Sequence, residues 1–315
     1  MCIRDSTELG FAVVWVDVRG TGASYGTRVY PFSEMEIFDG KDVMDWIVSQ
    51  EWSDGTIFTY GNSYSGVLSE LMASLNHPSH KGVIANHCPW DFYLHAVFPG
   101  GCFNEGFIKL WPDLGKALDQ IKGKNLGIIN EFNPWLGRLA VLAIKSVKPV
   151  NDDRNSKILD EIANIHKLNK YPIDYFERVE TRDDIFDNEG HTIDSLSTFS
   201  KKDKIEKSQI PIYSWGSWQD STTADMIIHR FINFSNPQIA IIGDWCHRIK
   251  NKANPFYSHK SPAIPKMSDQ IKDWAYFYLK CLKNKNSIKK ILYYYTMGEN
   301  KWKSTETWPP KNQIM

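Results

Sequence analysis

The order of apolar and polar residues predicts alternating strands and helices over the first 90 positions. Phe11–Val18 is a nearly continuous, valine-rich run, which is typical of a strand buried on both faces of a parallel sheet. Asp39–Gln50 carries apolar side chains at helical spacing, and Thr56–Tyr60 is a second short β-like run. A helix is predicted over Val67–Leu75 and a third strand over Gly82–His87. This alternation favours an α/β sheet.

The pattern changes after Pro89. The stretch to Ser208 is irregular and aromatic, with helical periodicity at Gly115–Lys122 and Trp135–Val147, and it is interpreted as an insertion. Periodic runs then return. They predict a strand, a helix, a strand, a helix and a strand, in the order Ile210–Trp215, Thr223–Phe234, Gln238–Gly243, Lys266–Leu282 and Lys289–Thr296.

The hexapeptide Gly61–Gly66, of sequence G-N-S-Y-S-G, lies between a predicted strand and a predicted helix. A serine between glycines at such a turn indicates a nucleophile elbow, in which the helix N-terminus behind the serine favours developing negative charge. Ser63 is therefore the candidate nucleophile. Position 65 holds serine where the commonest elbow pattern has glycine. Because glycine and serine are also ordinary turn residues, partners elsewhere in the chain must support the interpretation.

A nucleophilic serine needs a histidine base and a carboxylate that orients it. In α/β-hydrolases these residues follow in the order serine, acid, histidine, each beyond a strand. Asp220 follows the Ile210–Trp215 strand and His247 follows the Gln238–Gly243 strand, so both are predicted at carboxyl ends of the sheet. His87 also ends a strand, but a structural histidine is the commoner interpretation there. Asp244 is the rival acid, although it lies on the same loop as His247.

Composition removes some classes of function. The chain has 315 residues, 42% hydrophobic and 23% charged, and its formal net charge is zero, which gives no support for nucleic acid or an anionic membrane as partner. No apolar run is long enough to span a membrane, and the first residues lack the apolar core of a signal peptide. The five cysteines are scattered and form no metal-binding spacing, so a reduced, cytoplasmic setting is expected.

The loop Gly20–Gly26 raises a second class, a nucleotide-binding α/β protein. A glycine-rich loop after a strand can bind a dinucleotide, but the fingerprint G-x-G-x-x-G has tyrosine here at position 25 in place of its third glycine. A tight turn beneath the active site is the alternative interpretation.

Three segments resemble the CocE/NonD hydrolases, the group of X-Pro dipeptidyl-peptidases, cocaine esterase and α-amino-acid ester hydrolases. They are Asp17–Ser24 (D-V-R-G-T-G-A-S), Trp52–Gly55 (W-S-D-G) and the elbow hexapeptide. The family elbow G-x-S-Y-x-G tolerates Ser65. Its G-x-W-x-D and G-x-W-x-H patterns match Gly216–Asp220 and Gly243–His247. The resemblance implies a Ser63–Asp220–His247 triad, with the backbone N–H of Tyr64 in the oxyanion hole and with no metal or cofactor.

The resemblance also implies a domain plan. Residues 1–89 and 209–285 would form an α/β-hydrolase core with a mostly parallel sheet, 90–208 an inserted helical cap, and 286–315 the beginning of a C-terminal β jelly-roll. The family's first strands and the tyrosine that supplies its second oxyanion donor have no counterpart here. The chain is therefore expected to be an internal fragment, which leaves secretion open and a catalytically incompetent or non-catalytic protein as an alternative.

The expected partner is a small-molecule ester, an amide or a short peptide, and a homo-oligomer stays open. A peptidase of this group needs a carboxylate that captures the substrate's free amine. Asp91 and Glu105 are the candidates for that role, although solvated carboxylates are commoner.

Overall fold

The computed structural model describes residues 3–119, 151–247, 250–258 and 260–311. The chain divides into two compact units. The core unit comprises Met1–Val14, Gly40–Pro99 and Ser197–Met315, and the insert unit comprises Trp15–Asp39 and Gly100–Leu196. Helix α2 (Glu34–Val48) begins in the insert unit and ends in the core unit.

The core unit contains one six-stranded sheet, whose strand order follows the chain. Its strands are β1 (Ile57–Asn62), β2 (His80–Asn86), β3 (Ile212–Ser217), β4 (Gln238–Gly243), β5 (Ile291–Thr296) and β6 (Lys301–Thr305). Strands β1 to β5 are parallel and β6 is antiparallel to β5. The accompanying helices are α1 (Ile3–Glu8), α3 (Tyr64–Leu71), α7 (Lys202–Ser208), α8 (Thr223–Asn233) and α9 (Met267–Asn284). The predicted α/β class, with a mostly parallel sheet, is confirmed.

Helices join successive parallel strands, which brings the carboxyl ends of β1 to β4 to one edge of the sheet. The sheet interior is apolar and aromatic, as expected for a sheet covered on both faces. One cluster of buried side chains in this unit comprises Ile84, Tyr213, Trp215, Trp245, Ala263, Ile271, Trp274, Phe277, Tyr278, Cys281 and Ile288.

The strand predicted at Phe11–Val18 is wrong. These residues form no strand, and Trp15 is 69% exposed and Val16 51% exposed. A strand is stable only when its backbone N–H and C=O groups pair with a neighbouring strand. Among the described residues β1 pairs with β2 alone, and no strand lies alongside Phe11–Val18 to complete a ladder.

Lys289–Thr296 was expected to enter a separate jelly roll. It forms β5 instead, which pairs in parallel with β4 through Ile239–Ile291 and the following residues. The strand predicted to begin a new domain therefore extends the sheet of the core unit. The boundaries of the core, the cap and the jelly-roll domain stay predictions.

The described part of the insert unit is helical, with α4 (Glu105–Asp119), α5 (Lys157–Ile165) and α6 (Ile173–Phe176). The predicted helix at Trp135–Val147 lies outside the described residues. Asp119 is buried at the end of α4, where its Oδ2 accepts hydrogen bonds from Arg28 (2.5 Å) and Tyr171 (2.9 Å).

The glycine-rich loop of the insert unit uses its own backbone groups for turns. The Gly20 N–H donates to the Tyr25 carbonyl. The Thr21 N–H donates to the Val18 carbonyl, and the Ser24 N–H donates to the Thr21 carbonyl. The side chain of Asn169 also donates to the Gly20 carbonyl at 2.7 Å. A phosphate site needs such N–H groups to face a ligand. The loop therefore favours the tight-turn interpretation over a nucleotide site.

Through the described ranges, no helix combines the length and the apolar character that crossing a membrane requires.

A buried histidine in β2 gives the core unit a predicted dependence on pH. His80 is 3% exposed, its Nε2 lies 2.9 Å from the Thr59 hydroxyl, and burial lowers the pKa of its imidazole to about 4. An unfolded chain binds this proton near pH 6.5. Between those two pH values the unfolded state holds more protons, so stability falls as the pH falls from 6.5 towards 4.

We expect His80 to lower the free energy of unfolding by about 2 kcal/mol between pH 7 and pH 5. Urea unfolding of the wild type and of His80→Gln, measured at both pH values, isolates this contribution. Glutamine places an amide donor near the position of His80 Nε2 but does not titrate. Equal pH dependence of the two proteins would show that His80 does not contribute.

Candidate active site

Ser63 occupies a sharp turn between β1, which ends at Asn62, and α3, which begins at Tyr64. Its backbone dihedrals are φ 61° and ψ −124°, a positive-φ conformation that non-glycine residues rarely adopt. Such strain is characteristic of residues held in place for function. The strand–turn–helix context that the hexapeptide predicts is therefore present.

The glycines of the hexapeptide are required by close backbone approach. A Cβ on Gly61 would lie 1.9 Å from the Ser65 carbonyl oxygen, and one on Gly66 would lie 2.9 Å from the Asn86 carbonyl oxygen. Ser65 fits where the commonest motif has glycine. Its hydroxyl donates to the Asn62 carbonyl at 2.9 Å and accepts from the Asn62 N–H at 3.0 Å, which ties the two sides of the turn together.

Tyr64 is the first residue of α3, so its N–H belongs to the first turn of that helix. The positive end of the helix dipole lies there and favours negative charge. This is the place that the oxyanion role predicted for Tyr64 requires.

Asp220 lies beyond β3, in the turn that leads into α8. The Thr223 side chain closes this turn, because its hydroxyl accepts from the Ser217 N–H at 3.0 Å. The Thr223 N–H in turn donates to the Asp220 carbonyl at 3.0 Å. The Asp220 carboxylate is thereby presented at the carboxyl edge of the sheet, with its side chain 13% exposed.

His247 lies on the loop after β4, and its Nδ1 is 2.8 Å from Oδ2 of Asp220. The loop is shaped by a backbone bridge between Trp245 and Lys252 and by the Ala253 N–H, which donates to the Asp244 carbonyl at 2.6 Å. The structure thus joins the predicted base to the predicted acid, while the imidazole keeps 44% of its surface exposed.

Asp244, the rival acid, has other partners. Its carboxylate is 2% exposed, accepts from the Asn254 amide at 2.8 Å and lies 3.6 Å from Nζ of Lys252. It stabilises the loop that carries His247, which explains why a carboxylate occurs so close to the histidine in sequence.

His87, for which the sequence favours a structural role, lies against the same carboxylate. Its Nδ1 lies 2.6 Å from Oδ2 of Asp220, and its side chain is fully buried. The signal available in the sequence was its position directly after β2, which pairs with β1 up to Asn62 and Asn86. The end of β2 therefore lies beside the turn that carries Ser63.

The two imidazoles determine the charge of the acid. Burial alone raises the pKa of the Asp220 carboxyl, but hydrogen bonds from His247 and His87 outweigh burial and hold this pKa well below its usual range. Asp220 is therefore ionised at neutral pH. Burial lowers the pKa of the His87 imidazole and outweighs its attraction to Asp220, so His87 is neutral.

The candidates for amine capture have other roles. Asp91 is 4% exposed, and its Oδ1 accepts from the Leu94 N–H at 2.9 Å, which caps a short helical turn. Glu105, in the insert unit, is exposed and forms a surface ion pair with Lys109.

Comparison with known proteins gives the family. A family model described as X-Pro dipeptidyl-peptidase (S15 family) matches residues 6–248. The chain belongs to this family. A Mycobacterium bovis protein whose name describes it as a serine esterase is 30% identical over 320 residues, which covers 96% of this chain and 49% of that protein. The curated relatives that match nearly all of this chain are longer, and the chain spans about half of their length.

Solved structures support the fold of the S15 family. An aminopeptidase from a marine sediment Thaumarchaeota archaeon has a TM-score of 0.59 at 16% identity and covers 98% of this chain and 50% of its own. A CocE/NonD family hydrolase from Staphylococcus aureus has a TM-score of 0.57 at 16% identity, with 93% of this chain and 42% of its own covered. At such identity these likenesses show the fold alone, and they confirm the predicted CocE/NonD hydrolase architecture.

Proposed function

We propose that this protein cleaves ester or amide bonds through an acyl-enzyme, with Ser63 as nucleophile, His247 as general base and Asp220 as the orienting acid. The observation that carries the proposal is the 2.8 Å hydrogen bond between His247 and Asp220, at the sheet edge where Ser63 occupies its strained turn. Membership of a family of serine hydrolases supports it. Each of the three residues follows a different parallel strand of one sheet.

The proposed reaction begins when the Ser63 hydroxyl oxygen attacks the acyl carbon and its proton passes to Nε2 of His247. Asp220 accepts from Nδ1–H, which keeps the imidazole in the correct tautomer and stabilises its cation. The N–H of Tyr64 donates to the oxyanion that forms on the former carbonyl oxygen. His247 then protonates the departing alcohol or amine, and a water molecule activated by the same histidine releases the acid and restores Ser63.

Esters are the substrate class we favour within this proposal. A dipeptidyl-peptidase needs a carboxylate that pairs with the substrate's free amine, whereas Asp91 is engaged with the Leu94 N–H and Glu105 with Lys109. A simple acyl ester makes no such demand. The Mycobacterium bovis relative, which matches 96% of this chain, carries the name of a serine esterase, and this agrees with the choice.

A matched pair of substrates tests the choice between ester and peptide. We expect Ala-Pro-anilide and N-acetyl-Ala-Pro-anilide to be cleaved equally slowly, and a p-nitrophenyl acyl ester to have a kcat/KM at least about 100-fold higher. The opposite outcome is rapid cleavage of Ala-Pro-anilide that is lost when its amine is acetylated. That result would establish amine capture, and the dipeptidyl-peptidase alternative would replace the esterase.

Labelling with a fluorophosphonate tests whether the site is competent at all. We expect one covalent label for each chain, located on Ser63 by peptide mapping, because the reagent reacts only with an activated serine. Asp220→Asn should slow labelling by about 10³-fold or more, since the imidazole then loses the carboxylate that fixes its tautomer and stabilises its cation. Absence of label from the folded wild type would support the non-catalytic alternative.

A further inference from the structure

The acid of the proposed triad has two imidazole neighbours. Oδ2 of Asp220 lies 2.8 Å from Nδ1 of His247 and 2.6 Å from Nδ1 of His87. The two rings are 5.4 Å apart between centroids and inclined at 72°. A triad requires only one of these contacts, so the function proposed above leaves His87 without a role.

The surroundings of His87 determine which nitrogen carries its proton. Its side chain is fully buried, and Nε2 is buried with no hydrogen-bond partner in the described part of the chain. Nδ1 faces an ionised carboxylate. A proton on Nδ1 forms a charge-assisted hydrogen bond, whereas a proton on Nε2 would be a buried donor without an acceptor. His87 is therefore a neutral imidazole that donates from Nδ1.

We propose that His87 is a positioning residue for Asp220. Its N–H is a second donor that fixes the carboxylate, so that the negative charge of Asp220 is shared between His87 and His247. This role rests on the function proposed above. His87 is itself held firmly, since its N–H donates to the Trp215 carbonyl at 2.7 Å and joins β2 to β3. The donor that orients the acid thus lies directly after β2 and is tied to β3 by a backbone hydrogen bond.

Charge sharing gives the proposal a measurable consequence. Within the described ranges, the titratable groups that act on Asp220 are His247 and His87, and those that act on His87 are Asp220 and His247. With both donors in place, the carboxylate charge is divided between two N–H groups. If His87 no longer donated, more of that charge would stabilise protonated His247, and the acid limb of the activity profile would move to higher pH.

A shared metal ion is the alternative occupant of these groups. His87, Asp220 and His247 each offer one ligand atom, and these atoms lie within 4.8 Å of one another. Binding a metal through Nδ1 of His87 would move the ring proton to Nε2, where it would be buried without an acceptor. The hydrogen-bonded arrangement avoids that cost, so the geometry favours a positioning role.

Two substitutions at position 87 separate donation from packing. His87→Leu fills similar space without a donor. His87→Asn places an amide N–H near the position of Nδ1, and asparagine tolerates the positive φ of 47° at this residue. With a p-nitrophenyl ester, we expect His87→Leu to lower kcat by about 10- to 100-fold while KM changes less than about twofold. His87→Asn should retain kcat within about threefold of the wild type.

The pH profile of kcat/KM separates the two roles, because a loss of packing alone would not move its acid limb. We expect the acid limb to move up by about half a pH unit or more in His87→Leu and to stay in place in His87→Asn. If His87→Leu does not fold, His87→Gln replaces it, since its amide lies near the Nε2 position, away from Asp220. An unmoved acid limb together with no rescue by asparagine would show that His87 only fills space.

Two controls keep the outcomes apart. Activity that persists in Ser63→Ala overturns the proposed function, whereas loss in Ser63→Ala with no effect of His87→Leu overturns the positioning role alone. Activity that requires added zinc and is lost with a chelator would overturn the positioning role in favour of a metal site. Wild-type activity that is unchanged by a chelator, with the shifted limb in His87→Leu, supports it.

Discussion

Ser63→Ala is expected to lower kcat for a p-nitrophenyl ester by about 10⁴-fold or more and to leave KM nearly unchanged. The substitution removes the attacking oxygen and nothing that binds the substrate. Any residual rate would come from the Tyr64 N–H and from substrate binding, which act without a nucleophile. Initial rates measured over a range of ester concentrations give both kcat and KM.

Ser65→Ala is the matched control for this prediction, because it removes a hydroxyl from the same turn. Among the residues that the structure describes, its oxygen bonds to the backbone of Asn62, so we expect a loss of less than about tenfold. Full ester hydrolysis by a folded Ser63→Ala protein would refute the acyl-enzyme mechanism. A large loss in both variants would show that the shape of the turn, rather than Ser63 itself, limits the rate.

Arg230→Met is expected to lower the free energy of unfolding by about 3–5 kcal/mol. Arg230 on α8 donates from Nε and Nη2 to the two oxygens of Glu70 on α3, at 2.5 and 2.8 Å, and both side chains are fully buried. Methionine leaves the carboxylate of Glu70 buried without its cation. An uncompensated buried charge is far more costly than the loss of an exposed ion pair. Urea unfolding followed by circular dichroism measures the change.

The double variant Glu70→Leu/Arg230→Met tests the physical reason. It removes both charges and fills the space with apolar groups, so we expect it to recover most of the lost stability. If the double variant were as unstable as the single one, lost packing rather than an unpaired charge would explain the effect. The pair also joins the helix that follows Ser63 to the helix that follows Asp220, so the single variant should label more slowly with fluorophosphonate.

The parts of the fold predicted correctly are those whose signal is local. The strand at Gln238–Gly243 was predicted with the bounds that the structure has, and the helix at Thr223–Phe234 differs by one residue at its end. Phe11–Val18 has an equally strong apolar pattern, yet it forms no strand, because pairing with a neighbour is not a local property. Lys289–Thr296 shows the converse, since alternation predicted a strand but could not say which sheet it joins.

The sequence by itself determined the turn at Ser63 and the order Ser63, Asp220, His247, because glycine spacing and positions after strands are readable along the chain. Only the tertiary structure decided what surrounds the carboxylate. Asp244 lies close to His247 in sequence but binds Lys252 and Asn254, whereas His87 is 133 positions from Asp220 and lies 2.6 Å from it. Parallel strands bring distant residues to one edge of the sheet, so contacts there depend on strand order and register rather than on separation in the chain.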